Sequence, residues 1–118
     1  KAFFMGVLCN ILVTVAVLAS LSAKDAAGRI LGAWVPVMFF VVAGFSHSIA
    51  DMTYCALALF GKSAPACAAA AQAAGADLSV LTWGRYFLGN MLPVTLGNTA
   101  GGGLVGLAAW YCYLRKKG

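Results

Sequence analysis

Charge is the scarcest feature of this sequence. Only 9% of its 118 residues are charged and three are acidic, while 63% are hydrophobic. An average soluble domain has about 25% charged residues and clearly less apolar content. A chain this short could not bury so much apolar surface in a core of its own. The composition therefore excludes an ordinary soluble domain and predicts an integral membrane protein.

Residue sets that carry catalysis or bind metals are also lacking. The sequence has one histidine and three acidic residues, too few for a metal cluster, and no GxSxG, HExxH or P-loop pattern. Its four cysteines form no CxxC pair, and three lie in apolar runs, which favours buried thiols over metal binding or disulfides. We therefore expect no enzymatic activity, no metal and no cofactor.

The eight basic residues, which give a net charge of +5, flank apolar stretches and do not gather on one surface. Lys1 opens the chain, two lie in a predicted tight loop, Lys24–Arg29, two bracket Lys62–Arg85, and three form the tail Arg115–Lys117. Such flanking positions set membrane topology. A basic, aromatic-interleaved surface for phosphates is missing, so we expect no nucleic-acid partner. The tail predicts a cytoplasmic C-terminus and an external Lys62–Arg85 loop. This loop is rich in alanine, and we expect a short surface helix in it near Ala68–Ala74.

Three long apolar stretches dominate what is present. Ala2–Leu21 has the roughly 20 residues that a helix needs to cross the hydrocarbon core. Ile30–Gly61 would be about 48 Å long as one straight helix, and Tyr86–Leu114 is the third stretch. We predict one membrane domain over residues 1–118, with spans at about 2–21, 30–61 and 86–114.

A polar cluster interrupts the second stretch. Gly44 and Phe45 are followed by Ser46, His47, Ser48 and Asp51. Ser46 is a favourable N-cap residue, so we predict a break near residues 44–47, with a second half-helix that starts at Ser46 or His47. The free N–H groups and positive end of such a half-helix would form an anion site at mid-membrane.

Polar side chains occur at a similar depth in all three stretches. Asn10, His47 and Asn98 each lie near the middle of their stretch. This alignment favours a shared polar lumen over hydrogen bonds that only join helices. His47 and Asp51 are one helical turn apart and can interact. Ionisable groups within a membrane span are costly and usually functional, so we favour an ion or proton pathway over a purely structural pair.

The number of spans and the start of the chain both predict a longer protein. Two copies of a three-span unit would insert with opposite topology, an architecture typical of transporters. The chain begins at Lys1 and enters an apolar stretch without a signal-peptide cleavage pattern. Small residues four apart, Gly97 with Gly101 and Gly102 with Gly106, favour close helix packing.

Three ordered motifs resemble the formate/nitrite transporter family. They are Gly6-Val7-Leu8-Cys9-Asn10, the segment Gly44–Met52 around the histidine, and Leu92–Asn98 with Gly101 and Gly102. They resemble the fourth, fifth and sixth helices of that family. The resemblance implies an all-α, aquaporin-like bundle of six helices per protomer, assembled as a homopentamer in the prokaryotic inner membrane. This chain would be the C-terminal half, with the N-terminal half of the same protein missing.

The resemblance also implies the substrates and the roles of individual residues. The family passes formate, nitrite or hydrosulfide, in some members coupled to protons. His47 would be the central pore histidine, Asn10 the asparagine that faces it, and Phe40 part of a constriction. The family usually has Glu and Asn where this chain has Ser46 and Asp51. The predicted pore residues are His47, Asn10, Phe40, Ser46, Asp51 and Asn98.

The leading hypothesis is a channel or transporter for small monovalent anions, in which a central histidine protonates the anion. The alternatives are an aquaporin-like channel for neutral small solutes and a non-conducting membrane scaffold. Met52-Thr53 and the segment Val94–Thr99 lean slightly towards the nitrite branch of the family.

Overall fold

The described part of the chain, residues 1–115 of a computed structural model, is built from helices. In chain order they are α1 (Ala2–Ser22), α2 (Ala26–Val42), α3 (Ser48–Gly61), α4 (Pro65–Ala73) and α5 (Leu92–Ala109). π-helical turns, Arg85–Met91 and Trp110–Leu114, precede and follow α5, and a 3₁₀ turn covers Leu78–Val80. Lys116 and Lys117 of the predicted basic tail lie outside the described residues.

The third segment, Arg85–Leu114, is one continuous helical path with two widened turns. Its backbone stays in the right-handed helical region at the junctions Met91, Leu92 and Trp110. Pro93 has no N–H to donate, and a proline ring displaces the carbonyl four residues earlier. This explains why the turn before Pro93 is π-helical.

Two helices begin at other residues than the sequence predicts. We expected Lys24–Arg29 to be a loop, but α2 begins at Ala26, because the Asp25 carboxylate accepts a hydrogen bond from Gly28 N–H at 2.7 Å and caps the helix. The surface helix predicted near Ala68–Ala74 is α4, and it begins earlier, at Pro65, since proline is well suited to the first turn of a helix.

Helix α1 packs against both α2 and α5. Helices α1 and α5 approach so closely that backbone touches backbone. A Cβ built on Gly97 would lie 3.1 Å from Val7 N, and one on Gly101 would lie 3.0 Å from Val7 Cα. The packing role predicted for these two glycines is confirmed. Gly102 also packs closely, since a built Cβ would lie 3.2 Å from Asn10 Nδ2. Gly106 has no described atom within 4 Å of a built Cβ, so its packing role stays a prediction.

Among the described residues, α1 is the helix that is long and apolar enough to cross a membrane. Helices α3 and α4 pass the same test only if the 110° bend between them lies inside one span, and α2 is apolar but has 17 residues. The three predicted spans stay a prediction.

Large apolar side chains cover much of the surface. Val42, Ile49 and Leu104 are 81%, 67% and 64% exposed, respectively. The largest fully buried side chains are those of Cys9 and Val94, at the contact between α1 and α5. Apolar patches of such extent normally contact lipid or another apolar protein surface.

Candidate functional site

The second apolar stretch is interrupted by a segment that we call the central break, residues 43–47. Helix α2 ends in a Schellman motif, in which Phe45 N–H bonds to Phe40 O at 3.0 Å and Gly44 N–H bonds to Val41 O at 3.1 Å. Gly44 has a φ of +67°, a conformation that only glycine adopts without cost. The break therefore includes residues 44–47, where the sequence predicts it, and begins one residue earlier.

His47 is the N-cap residue of α3, a position that we expected for Ser46. Its backbone is extended (φ −113°, ψ 123°), and its carbonyl accepts the first intrahelical bond, from Asp51 N–H at 2.8 Å. The cap lies one residue further along because Ser46 O and Ser48 N–H are both bound by Asn98. The half-buried imidazole of His47 stacks on the ring of Phe40, with 5.9 Å between centroids and 22° between planes.

The first turn of α3 presents free donors beside His47. Because the first intrahelical bond comes from Asp51, the N–H groups of Ser48, Ile49 and Ala50 have no acceptor within the helix. Asn98 binds the N–H of Ser48. The N–H groups of Ile49 and Ala50 remain at the positive end of the half-helix, which carries about half an elementary charge.

Asn98 joins three parts of the chain, and we call this set of contacts the Asn98 junction. Asn98 Nδ2 donates to Gly6 O at 3.1 Å and to Ser46 O at 3.2 Å. Its Oδ1 accepts from Ser48 N–H at 3.3 Å and from Ser48 Oγ at 3.4 Å. The side chain of Asn98 is 5% exposed, and both of its donor hydrogens and its acceptor have partners.

Asn10 meets the same junction from α1. Its Nδ2 donates to the backbone carbonyl of Asn98. Asn98 is the fourteenth residue of the third segment, Arg85–Leu114, which places the junction near the middle of that segment. The structure therefore brings Asn10 and Asn98 into contact at one depth, with His47 joined to them through its neighbours Ser46 and Ser48.

Asp51 has a different partner from the one that its spacing indicates. It shares the first turn of α3 with His47, but its carboxylate Oδ2 accepts a hydrogen bond from Asn90 Nδ2 at 3.0 Å. The same amide lies 3.8 Å from Cys55 Sγ. Asp51 is thus held towards the π-helical turn before α5.

An open cleft lies beside the central break. It has a volume of about 680 Å³, and Phe3, Gly44, Ser46 and Pro93 are among its lining residues. Ser46 is the predicted pore residue that lines this cleft. Through Ser46 the break therefore contacts both the Asn98 junction described above and this open space.

Sequence reasoning missed Asn90 and Ser48 as members of this site. For Asn90 a signal was present, because residues 90, 94 and 98 lie on one face of a helix. Val94 and Asn98 are buried, which marks that face as the packed one. Ser48 belongs to the polar cluster that predicts the break, but its bond to Asn98 could not be predicted, since that bond depends on how the break packs against α5.

An all-helical chain with a discontinuous helix, whose ends meet polar side chains at the middle of a neighbouring helix, is typical of membrane channels and transporters. The sequence profile of the formate/nitrite transporter family matches residues 1–111. The chain belongs to the formate/nitrite transporter family.

Relatives in this family carry both formate and nitrite in their names. The probable formate transporter of Methanothermobacter thermautotrophicus is 36% identical, over 98% of this chain and 36% of its own length. The formate channel FocA of Escherichia coli K12 is also 36% identical, over 98% and 42%. The nitrite transporter NirC of the same strain is 36% identical, over 92% and 35%. The predicted lean towards nitrite therefore stays a prediction.

A solved structure, described as a pentameric formate channel with formate bound, has the same fold. The TM-score is 0.80 at 37% sequence identity, over 98% of this chain and 46% of that chain. The chain thus spans less than half the length of these relatives.

Proposed function

We propose that this chain is the C-terminal half of a protomer that conducts small monovalent anions of the formate, nitrite or hydrosulfide class. In this proposal α1, the broken helix α2–α3 and the third segment are three spans in a cell membrane, and the missing half completes the pore. The observation that carries the proposal is the position of His47. It caps a half-helix at the level of the Asn98 junction, next to the free N–H groups of Ile49 and Ala50.

The chemistry begins with the cost of dehydrating the anion. An anion that enters a pore of low dielectric constant loses hydration, at a cost of several kcal/mol unless it is compensated. The positive end of α3 offsets part of this cost, because N–H donors and the helix dipole both favour negative charge. A proton delivered from His47 removes the rest, since the weak acid then crosses the centre as a neutral molecule.

The neighbours of His47 have separate roles in this proposal. Phe40 stacks on the imidazole and fixes its plane, so it narrows the path beside the histidine. Asn98 holds the break in shape through Ser46 and Ser48 and is a positioning residue. Asn10 supports the same junction, and Ser46 faces the open cleft. Asp51 is the one acidic side chain in the first turn of α3.

The assembly proposed here is a homopentamer in the membrane. The exposed apolar surface on α2, α3 and α5 supports it, because lipid, the missing half or a neighbouring protomer can cover that surface. The solved relative, described as a pentamer with bound formate, supports the same assembly and substrate class.

Transport by the full-length protein in proteoliposomes tests the proposal. Formate and nitrite uptake should rise as the external pH falls, and glycerol uptake should be absent. His47→Phe should abolish the pH dependence while the oligomer, measured by size-exclusion chromatography, stays intact. An unchanged rate and pH profile in His47→Phe would show that the histidine is structural. Glycerol flux without formate flux would instead favour a channel for neutral solutes.

A further inference from the structure

A negative charge at the positive end of α3 is an unexpected feature in a path for anions. Asp51 lies in the first turn of this helix, one turn from His47. A carboxylate there counteracts the N-terminal dipole charge of about half an elementary charge. An anion at the N–H groups of Ile49 and Ala50 would therefore be attracted by the positive end of the helix and repelled by the negative charge of the Asp51 carboxylate.

The structure holds this carboxylate in place. Asn90 Nδ2 donates to Asp51 Oδ2 at 3.0 Å across the contact between α3 and the π-helical turn before α5. Both side chains are half-buried, so this bond joins two packed segments. Hydrogen bonds to a charged acceptor are stronger than neutral ones, and the position of the charge is fixed relative to His47.

Three of the basic side chains near the ends of the helices have partners other than Asp51. Lys62 Nζ donates to Leu81 O at 3.0 Å, Arg29 Nε donates to Ala23 O at 3.2 Å, and the Arg115 guanidinium lies 5.2 Å from the centre of the Tyr111 ring. These three cations are therefore held at the loops and the chain end. The partner that the structure gives to Asp51 is the neutral amide of Asn90.

We propose that Asp51, positioned by Asn90, is a specificity-determining residue that repels the charged form of the substrate and selects the neutral weak acid. This inference rests on the proposed function, in which the substrate crosses the centre as a neutral acid, and adds to it the residue that excludes the charged form. His47 supplies the proton on the approach to α3, and Asp51 makes passage of the unprotonated anion unfavourable. Transport should then be largely electroneutral, with one proton accompanying each formate or nitrite.

The test compares electrical current with uptake in the full-length protein. Formate currents are recorded in planar bilayers, and formate uptake is measured in proteoliposomes clamped at zero potential. Asp51→Asn keeps a side chain that can bond to Asn90 but removes the charge. We expect its ratio of anion current to uptake to rise at least about tenfold, as loss of a unit charge one to two turns away predicts at an effective dielectric constant of about 20.

Matched variants separate charge from packing. Asp51→Glu keeps the charge and should leave the current-to-uptake ratio near the wild-type value. Asp77→Asn removes an acidic charge in the exposed loop and should leave it unchanged. If Asp51→Asn does not assemble, Asp51→Ser provides a second variant without the charge, with the same expected rise.

Equal ratios in wild-type protein and in the charge-free variants would overturn this inference alone, because formate would still be transported. A rise in Asp51→Glu equal to that in Asp51→Asn would also overturn it and assign the effect to packing. Absence of formate flux in the wild-type protein would overturn the proposed function and this inference with it.

Discussion

The ends of α2 and α4 show the same local structure in two very different settings. Gly44 and Gly75 both have positive φ, 67° and 76°, and both come just after the last residues of a helix. In each case the next residue bonds back to the same relative position, Phe45 N–H to Phe40 O at 3.0 Å and Ala76 N–H to Ala71 O at 2.9 Å. Two Schellman motifs therefore stop two helices in the same way.

The two motifs differ in the chain that comes after them. After Gly44 the chain enters the Asn98 junction, where Ser46 and Ser48 bond to a residue that is distant in sequence. After Gly75 the chain forms a local turn, in which hydrogen bonds from Ser79 hold the pKa of Asp77 below its usual range. A glycine can end a helix anywhere, whereas a candidate site arises only where distant polar groups meet the end.

The largest effect should come from removing the distant contact. Asn98→Ala would leave Ser46 O and Ser48 N–H without the partner that Asn98 provides, and it would remove a second donor from Gly6 O, which also accepts within α1. Each unsatisfied buried group costs about 1–3 kcal/mol, so these two groups predict a loss of about 2 kcal/mol or more in stability. Thermal unfolding of the full-length protein in detergent, followed by size-exclusion chromatography, measures this loss.

The control for Asn98 is the neighbouring residue. Thr99 Oγ1 bonds to Thr95 O within the same helix at 2.9 Å. Thr99→Ala should therefore cost less than about 1 kcal/mol. Similar unfolding temperatures for the two variants would contradict the assigned role of the Asn98 junction.

The next effect concerns the close contact of α1 and α5 that holds Asn98 in place. Gly101→Ala would put a Cβ 3.0 Å from Val7 Cα, in contact with backbone that has little room to move. Overpacking of this kind costs about 1–3 kcal/mol. Gly103→Ala, with no described atom within 4 Å, should be neutral or stabilising by up to about 1 kcal/mol. Equal unfolding temperatures would argue against backbone contact at Gly101.

A smaller effect compares the two Schellman glycines directly. Gly44→Ala and Gly75→Ala should each cost about 1–2 kcal/mol, because an L-residue at positive φ is strained. The two variants should differ in transport, since only Gly44 orients the central break. We expect lower formate uptake in Gly44→Ala alone. Equal loss of uptake in both would show that the break has no special part in transport.

The smallest perturbation is a chemical label that tests the membrane topology. The predicted topology places Gly44 within a span and Gly75 in the external loop. Cys67 is exposed on α4, in the predicted external loop, whereas Cys9 is fully buried. A membrane-impermeant maleimide should label Cys67 in intact cells with no loss of transport, and Cys9 should react only after denaturation. Labelling of Cys67 only after the membrane is breached would reverse the predicted orientation.

The sequence predicts local features of this fold well. Gly44 and the polar residues after it predict the central break, because glycine and helix caps act within a few residues. Gly97 and Gly101 predict close packing, because small residues four apart form one smooth helix face. The sequence predicts the N-cap one residue early, at Ser46, since the contact that decides it comes from Asn98, in another helix.

The arrangement of the candidate site required the structure. The sequence predicts that Asn10 and Asn98 share a depth with His47, but not that Asn98 binds two residues around the break. Helical spacing alone predicts that Asp51 faces His47. The bond of Asp51 to Asn90 depends on how α3 packs against the third segment, and spacing within one helix carries no information about that contact.

Asn98 makes most of its contacts with main-chain atoms, namely Gly6 O, Ser46 O and Ser48 N–H. Every residue at positions 6 and 46 supplies such a carbonyl, so the junction constrains the path of the chain and leaves the side chain at position 46 free to change. The resemblance implies Glu at this position in most of the family, and this chain has Ser46 on an intact break. The backbone contacts thus preserve the shape of the break, while the side chain at position 46, which lines the open cleft, can change without disturbing that shape.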